Sequence, residues 1–452
     1  MTVAAQDILA RAAALCTPTA KEEARTAAVA EEAKILVEGQ ANDSKEIVGV
    51  VFGGSFAKGT WLRSDADVDI FIKIKPEVDE KRFEELGVGM GKKALKKFEP
   101  QLRYSDHPYV EAVVKGTRIN VVPCYDVEKG RWKSAADRSP FHTQYIAEAL
   151  DGAKKGEVRL LKKFLKAAGV YGAEISTGGF SGYVSEVLVA KFGSFEGVLN
   201  AAADFKQGQV VAVVDNYDVD VVKGFQSPIV IIDPVDPRRN LATAVSPESA
   251  GRFALAARAF LKKPSMKSFA RQPARVNRRL YPNIIAVEFS HRKRSADTIW
   301  GQMKRSAGSL AKQLELAGFT VFRHTCSTDE ETSGAFAFML ESLTLPPYAA
   351  RRGPQIFRRS DTDSFVARAN KSSGPLAMWV DREIRVSVIA RRRVTDARKL
   401  LRTLLQNKDS GVARDMITGK LQIYSGSERR LSGQVKAAVD ELSSTESLII
   451  RV

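Results

Sequence analysis

Asp67 and Asp69 stand one residue apart in the stretch DVDIFIKI, about a dozen positions after Gly53-Gly54-Ser55 and shortly after Lys58. On a β-strand, side chains alternate between faces, so the two acids share one face while Val68, Ile70 and Ile72 take the opposite, buried one. Carboxylates held side by side repel each other and cost stability unless a cation neutralises them. Mg²⁺ is the economical partner, because it takes oxygen ligands and commonly combines one or two carboxylates with the phosphates of a substrate. Upstream, the two glycines permit a tight turn, Ser55 is a good helix N-cap, and the N–H groups that follow can receive phosphate oxygens, with Lys58 adding charge. Loop and acids together suit the grip of a nucleoside triphosphate and an in-line displacement at its α-phosphorus. Each half alone is ordinary: exposed strands often carry acids, and Gly-Gly-Ser is a common turn.

The elements that must hold these residues are legible around them. The stretch from Ala20 to Val37 has the spacing of one amphipathic helix, and IVGVVFGG follows a polar break as an apolar strand. After the acid-bearing strand, FEELGVGMGKKALKKF has helical spacing, and YVEAVVKGTRINVVPCY predicts a hairpin turning at Lys115-Gly116. Residues 1–150 are therefore expected to form a small mixed sheet with helices. Residues 151–260 read as a helical centre, from GEVRLLKKFLKAAGVYG through YVSEVLVAKFGSFEGVLNAAADF to SPESAGRFALAARAFL, interrupted by PIVIIDP and the turn DPVDPRRN. Residues 261–452 alternate strand and helix signals and read as an α+β body whose tail is helical and charged. The fold class expected is α+β throughout.

The 452 residues carry a formal net charge of +17, a field that draws polyanions. Between residues 251 and 300, 12 Lys or Arg face only Glu288 and Asp297, which places a basic side in the second half; a merely solvated surface is the plainer reading. Cys16, Cys124 and Cys326 are far apart and odd in number, which supports neither a disulfide framework nor a zinc site and suits a reducing cytoplasm. The amino-terminal stretch mixes acids and bases and lacks the apolar core of a signal peptide, and no apolar run of about 18 residues proposes a membrane span.

The glycine-serine loop followed by a D-x-D strand resembles the nucleotidyltransferase superfamily of DNA polymerase beta. More closely, the chain resembles the archaeal-type (class I) CCA-adding enzymes, the tRNA nucleotidyltransferases that build the 3′ end of tRNA. HPYVEAVVKGTRINVVPCY, SAADRSPFH, EVRLLKKFLKAAGVYGAE, GFSGY, DPVDPRRN and RRGPQIF stand in that family's order and spacing, and the likeness is weakest over the last hundred residues.

The resemblance implies a polymerase beta-like catalytic head, a helical centre and an RNA-binding body. It implies that Ser55 and Lys58 hold the triphosphate, with lysine where relatives have arginine, and that Asp67 and Asp69 bind Mg²⁺. Family members carry a third acid just before V-V-P-C-Y, and here that position is Asn120. An amide oxygen still binds Mg²⁺ but brings no charge and accepts no proton. Asn120 is then a weak ligand and catalytic position, or a nearby acid such as Asp106 replaces it, or Asn120 only completes a strand. His142, Lys162 and Tyr171 match further nucleotide-binding positions, against the plainer readings of a loop donor, a solvated helix face and a packed aromatic ring. Arg239 matches the arginine that reads the incoming base; Arg238, or an ion pair of Arg239 with Asp233 or Asp236, is the alternative.

The activity implied is addition of CMP, CMP and AMP, from CTP and ATP, to tRNA without a template. The acceptor and T arms of tRNA are the expected partner, with Arg351, Arg352, Arg358 and Arg359 as candidate contacts. The apolar strands of the last domain allow a homodimer without requiring one. A poly(A) polymerase or oligoadenylate synthase-like enzyme, and a tRNA-binding protein with impaired catalysis, are the rival readings.

Overall fold

A computed structural model describes residues 3–42, 44–104, 107–215, 217–371, 374–428 and 430–446. The chain forms two compact units, Met1–Pro273 with Glu446–Val452, and Ala274–Thr445.

In the first unit, strands β1 (Ile47–Gly53), β2 (Asp67–Ile74), β3 (Gln101–Tyr104), β4 (Pro108–Val114) and β5 (Thr117–Tyr125) make one sheet in the order β1-β2-β5-β4-β3. Only β2 and β5 run parallel; the other neighbours are antiparallel. The β4–β5 hairpin turns at Lys115 and Gly116, both at positive φ (48° and 82°), as its two-residue loop demands. Helix α1 (Val3–Cys16) precedes α2 (Ala20–Ala41), which Thr19 and Glu22 open with a reciprocal capping box. The short α3 (Gly54–Lys58) follows β1, and α4 (Glu80–Ala94) follows β2. Val29, Ala33 and Val37 of α2 and Phe83, Leu86 and Met90 of α4 pack on Val68, Ile70, Ile72 and Ile74 of β2. The alternation expected for β2 is therefore realised: one face is core, and Asp67 and Asp69 stand on the other.

Helices α5 (Arg138–Ala149), α6 (Gly152–Ala168), α7 (Gly182–Phe192), α8 (Phe195–Ala203), the short α9 (Val219–Lys223) and α10 (Pro247–Lys262) complete this unit. Gly193, at φ 80°, ends α7, and the Ser194 hydroxyl accepts from Gly197 N–H to start α8, so the run YVSEVLVAKFGSFEGVL is two helices. A core of Ile146, Leu161, Phe164, Val187, Phe195 and Phe260 gathers α5, α6, α7, α8 and α10, and Ala12 and Cys16 of α1 join it.

The second unit contains a four-stranded antiparallel sheet in the order 321–328, 333–340, 284–291, 417–425. Helices Ala296–Leu316 and Ala397–Gln406 cover one face and Gly433–Leu442 the other. A three-stranded sheet joins Tyr348–Gln355, Arg385–Arg391 and Ala377–Val380. The tail is not wholly helical as expected: Ile417–Ser425 is a strand paired with Ile284–His291. Its pairing is interrupted between Thr418 and Gln422, around Gly419 at φ 73°, and that irregularity breaks the alternation a strand shows in sequence. Among the described residues, no helix is long and apolar enough to cross a membrane.

Candidate active site

The phosphate-sized loop is built by its glycines. Gly53 is extended (φ −141°, ψ −160°) and caps α3, and Gly54 takes φ +63°. Ser55, expected as the cap, instead lies inside the first turn, because the two glycines turn the chain before it. A Cβ on Gly54 would stand 1.8 Å from Asp69 Oδ2, so loop backbone and carboxylate are in direct contact. Gly54→Ala is expected to lower nucleotide incorporation about a hundredfold, since displacing a binding loop by about 1 Å has that effect, and steady-state kinetics with CTP checks it.

Asp67 lies opposite Arg118 on β5, and Asp69 lies opposite Asn120. Arg118 NH1 is 3.3 Å from Asp67 Oδ1, and Asn120 Nδ2 donates to Asp69 Oδ1 at 2.9 Å. Burial pushes both carboxyls above the usual range, with Arg118 opposing the shift at Asp67 and the Asn120 hydrogen bond and the Lys58 charge opposing it at Asp69. Among the described residues, buried Asn120 Oδ1 has no hydrogen-bond partner. Two acids on one face and an orphaned amide oxygen make an all-oxygen donor set, which fits a hard divalent cation. Asp106, the alternative third acid, lies outside the described residues. Glu111, which the motifs did not single out, faces Asn120 across the β4–β5 pair and is bound by Arg103 at 2.9 Å. Its place in the alternation of YVEAVV, in phase with Asn120 across the turn, was the available signal.

Lys58 and Lys162 are both buried and converge on Glu186 of α7, with Nζ–Oε distances of 2.8 and 2.9 Å. Lys162, on α6, is thus not a solvated helix face. Its ammonium also donates to the Thr60 carbonyl (3.2 Å) and hydroxyl (3.1 Å), which uses all three of its donors. Burial pulls the Lys162 ammonium below its ordinary value, and Glu186 holds part of it back. Burial raises the Glu186 carboxyl, yet the Lys162 and Lys58 charges and the hydrogen bonds from Lys58 and Thr60 outweigh burial and bring it to about 2. Tyr171 bridges to Phe180 beside this cluster, and a Cβ on Gly182 would stand 3.1 Å from its hydroxyl and 3.5 Å from Lys162 Nζ. In the sequence Glu186 is marked as a lone acid inside the apolar run YVSEVLVA.

His142, on α5, is buried, stacks on Tyr183 with ring centroids 3.9 Å apart, and its Nε2 lies 2.9 Å from Asp233 Oδ2. Arg239 NH1 reaches the same oxygen at 3.4 Å, the ion pair named as its alternative, while Asp236 pairs with Arg138 at 2.8 Å. Arg239 remains 42 % exposed, so its guanidinium keeps donors for a ligand. Burial lowers the His142 pKa, against the hydrogen bond and charge of Asp233. A histidine whose folded pKa lies below its unfolded one favours the fold fully above about pH 6.5 and loses that contribution as pH falls. His142→Gln is therefore expected to flatten the decline of the urea midpoint between pH 7.5 and pH 5.

The first unit thus brings Ser55, Lys58, Asp67, Asp69, Asn120 and Lys162 around one loop and the paired inner strands β2 and β5, with Tyr171 beside Lys162, and gathers His142 and Arg239 on Asp233. Three family models match the chain in succession: the nucleotidyltransferase domain over residues 34–146, the tRNA nucleotidyltransferase second domain over 156–270, and the CCA-adding enzyme C-terminal domain over 282–426. The CCA-adding enzyme of Pyrobaculum neutrophilum is 38% identical over 88% of this chain and 94% of its own length. Those of Pyrobaculum islandicum (35%, over 92% of this chain and 97% of the relative) and Saccharolobus shibatae (36%, over 76% and 81%) are similar along most of their lengths too. By matches over residues 34–146, 156–270 and 282–426 and by relatives similar over most of their length, the chain belongs to the archaeal-type CCA-adding enzymes.

Proposed function

We propose that the chain builds the CCA end of tRNA, adding CMP, CMP and AMP from CTP and ATP with release of pyrophosphate. The observation that carries this reading is the nearly full-length likeness to CCA-adding enzymes, including their C-terminal domain over residues 282–426. An adenylate-only polymerase sharing the catalytic head is not favoured, because that C-terminal match lies outside the head.

In the reaction, the 3′ hydroxyl of the RNA gives up its proton to water as its oxygen forms a bond to the α-phosphorus, and the bond from that phosphorus to the bridging oxygen of the β-phosphate breaks to release pyrophosphate. Asp67, Asp69 and the free Oδ1 of Asn120 would hold the divalent cation that this family of transferases uses, and we assign it as Mg²⁺. When bound, that cation neutralises triphosphate charge and lowers the pKa of the attacking hydroxyl. The loop of Gly54 and Ser55 lies against Asp69, so a triphosphate gripped there is brought to the acid pair. Lys58 supplies a compact cation to the phosphates, with Lys162 adding charge from behind and the Tyr171 hydroxyl serving as a donor. Arg239, steadied by Asp233 next to His142, offers guanidinium donors to acceptor atoms on the Watson–Crick edge of cytosine and in part of adenine.

The tRNA lies on the basic second unit through its phosphates, so binding weakens steeply with salt. Arg351, Arg352, Arg358 and Arg359 are exposed there, with Arg352 partly neutralised by Glu383 at 3.1 Å. A homodimer through this unit is part of the reading, supported by exposed Tyr348, Phe357 and Trp379, and sedimentation equilibrium tests it. The reaction is placed in a reducing cytoplasm, which suits three buried free cysteines.

The deciding experiment incubates the protein with a tRNA ending at its discriminator base, CTP, ATP and Mg²⁺, and sequences the product ends. Ends reading CCA are expected. A tRNA left unextended with CTP alone but adenylated with ATP would overturn the reading in favour of an adenylate polymerase, and tight binding without any extension would leave only a tRNA-binding protein.

A further inference from the structure

We propose that Glu186 is a positioning residue for nucleotide binding: its carboxylate, clamped on one oxygen by Lys162 and Thr60, uses the other to aim the Lys58 ammonium at the triphosphate. This rests on the reading of Lys58 as a phosphate contact given above.

The division of labour follows from the hydrogen bonds. Oε1 accepts from Lys162 and from the Thr60 hydroxyl, and among the described residues Oε2 accepts from Lys58 alone. Lys162 has no N–H left for a ligand, because its three donors go to Glu186 and to the carbonyl and hydroxyl of Thr60. Lys58 spends one N–H on Glu186 at 2.8 Å and lies over the Tyr183 ring, 5.0 Å from its centroid, so it is gripped from two sides with donors to spare. The elements involved are distant in sequence: Lys58 ends α3, Thr60 follows it, Lys162 lies on α6 and Glu186 on α7. Glu186 therefore ties the nucleotide loop to the helical core.

Charge accounting points the same way. Within the hydrogen-bonded trio, two lysines share one glutamate and leave one positive charge in excess, which Lys58 directs toward the Asp69 carboxyl. A purely structural buried pair is most stable when balanced, since an uncompensated charge away from water is expensive. An excess cation beside the loop that meets Asp69 is what an anionic ligand would complete. Arg159 acts on Lys162, and Asp69 and His142 are the groups that feel the Lys58 charge; among the described residues none of the three bonds to Glu186.

The test measures CTP binding by calorimetry on the full chain, together with KM and kcat. Glu186→Gln, which keeps the shape and removes the charge, is expected to raise the Kd for CTP and for ATP about tenfold, because a charge-assisted hydrogen bond aiming Lys58 is lost. The KM for tRNA is expected to stay within twofold. Lys58→Met is expected to weaken CTP at least as much, and the double variant no more than Lys58→Met alone, because Glu186 acts through Lys58. A Glu186→Gln protein that binds CTP like wild type, or single effects that multiply in the double variant, would overturn the inference. Should Glu186→Gln not fold, Glu186→Asp keeps the charge and shortens the reach; it is expected to raise the Kd several-fold, and wild-type affinity would sink the inference equally. Wild-type protein that neither binds CTP nor extends tRNA would instead overturn the proposed function, so the two failures are distinguishable.

Discussion

Asp69→Asn is expected to lower the rate of CMP addition about a thousandfold or more without lowering the melting temperature. Asp69 stands against the loop backbone at Gly54, shares a strand face with Asp67, and is the acid that Asn120 touches. A bound cation contributes several kcal/mol of charge stabilisation to a phosphoryl-type transition state, and about 4 kcal/mol corresponds to a thousandfold in rate. An amide of the same shape keeps one oxygen but removes the charge that holds the cation. The folded state loses little, because burial already works against an ionised carboxyl at this position. A carboxylate held away from water without full compensation is expensive, so a neutral isostere relieves the fold of that cost. Single-turnover kinetics with saturating CTP, beside a thermal melt in chelator, separates loss of chemistry from loss of fold. Incorporation within tenfold of wild type would remove Asp69 from the site.

The alternation around DVDIFIKI was enough to place both acids on one face, because a strand with one buried side leaves its side chains no other arrangement. The hairpin at Lys115-Gly116 was equally legible, since a two-residue loop with φ above zero at both positions calls for that chemistry. What sequence could not supply was long-range pairing. Lys58 and Glu186 lie 128 residues apart, and His142 and Asp233 lie 91 apart; nothing local marks them as partners. Lys162 illustrates the limit: in RLLKKFLK it is one lysine among several, and only the packing of α6 against α7 makes it the buried one. The strand at Ile417–Ser425 was hidden for a different reason, because the register break between Thr418 and Gln422 spoils its alternation.

Asn120→Asp is expected to raise the affinity for Mg²⁺ about tenfold and to lower the melting temperature in chelator by roughly 4 °C, with both effects arising from one added charge. At present Asn120 donates to Asp69 Oδ1 and leaves its own Oδ1 without a partner. The aspartate would withdraw that donor and place a third anion beside two carboxyls that burial already raises. Unit charges 4 Å apart interact by about 4 kcal/mol at an effective dielectric constant of 20, and part of that is offset here by Arg118. Without a cation, the cluster would be under greater repulsion than in the wild-type protein. A carboxyl whose folded pKa exceeds its unfolded one favours the fold while protonated, so the chelator melt should fall as pH rises from about 4 through the raised value. With a cation the sign reverses, because ligand charge count governs how tightly a hard divalent ion is held. Titrating Mg²⁺ against melting temperature, in the absence of nucleotide and RNA, reads this binding without reference to turnover. Equal Mg²⁺ midpoints for the two proteins would show that position 120 faces no cation, and the donor set would then reduce to Asp67 and Asp69.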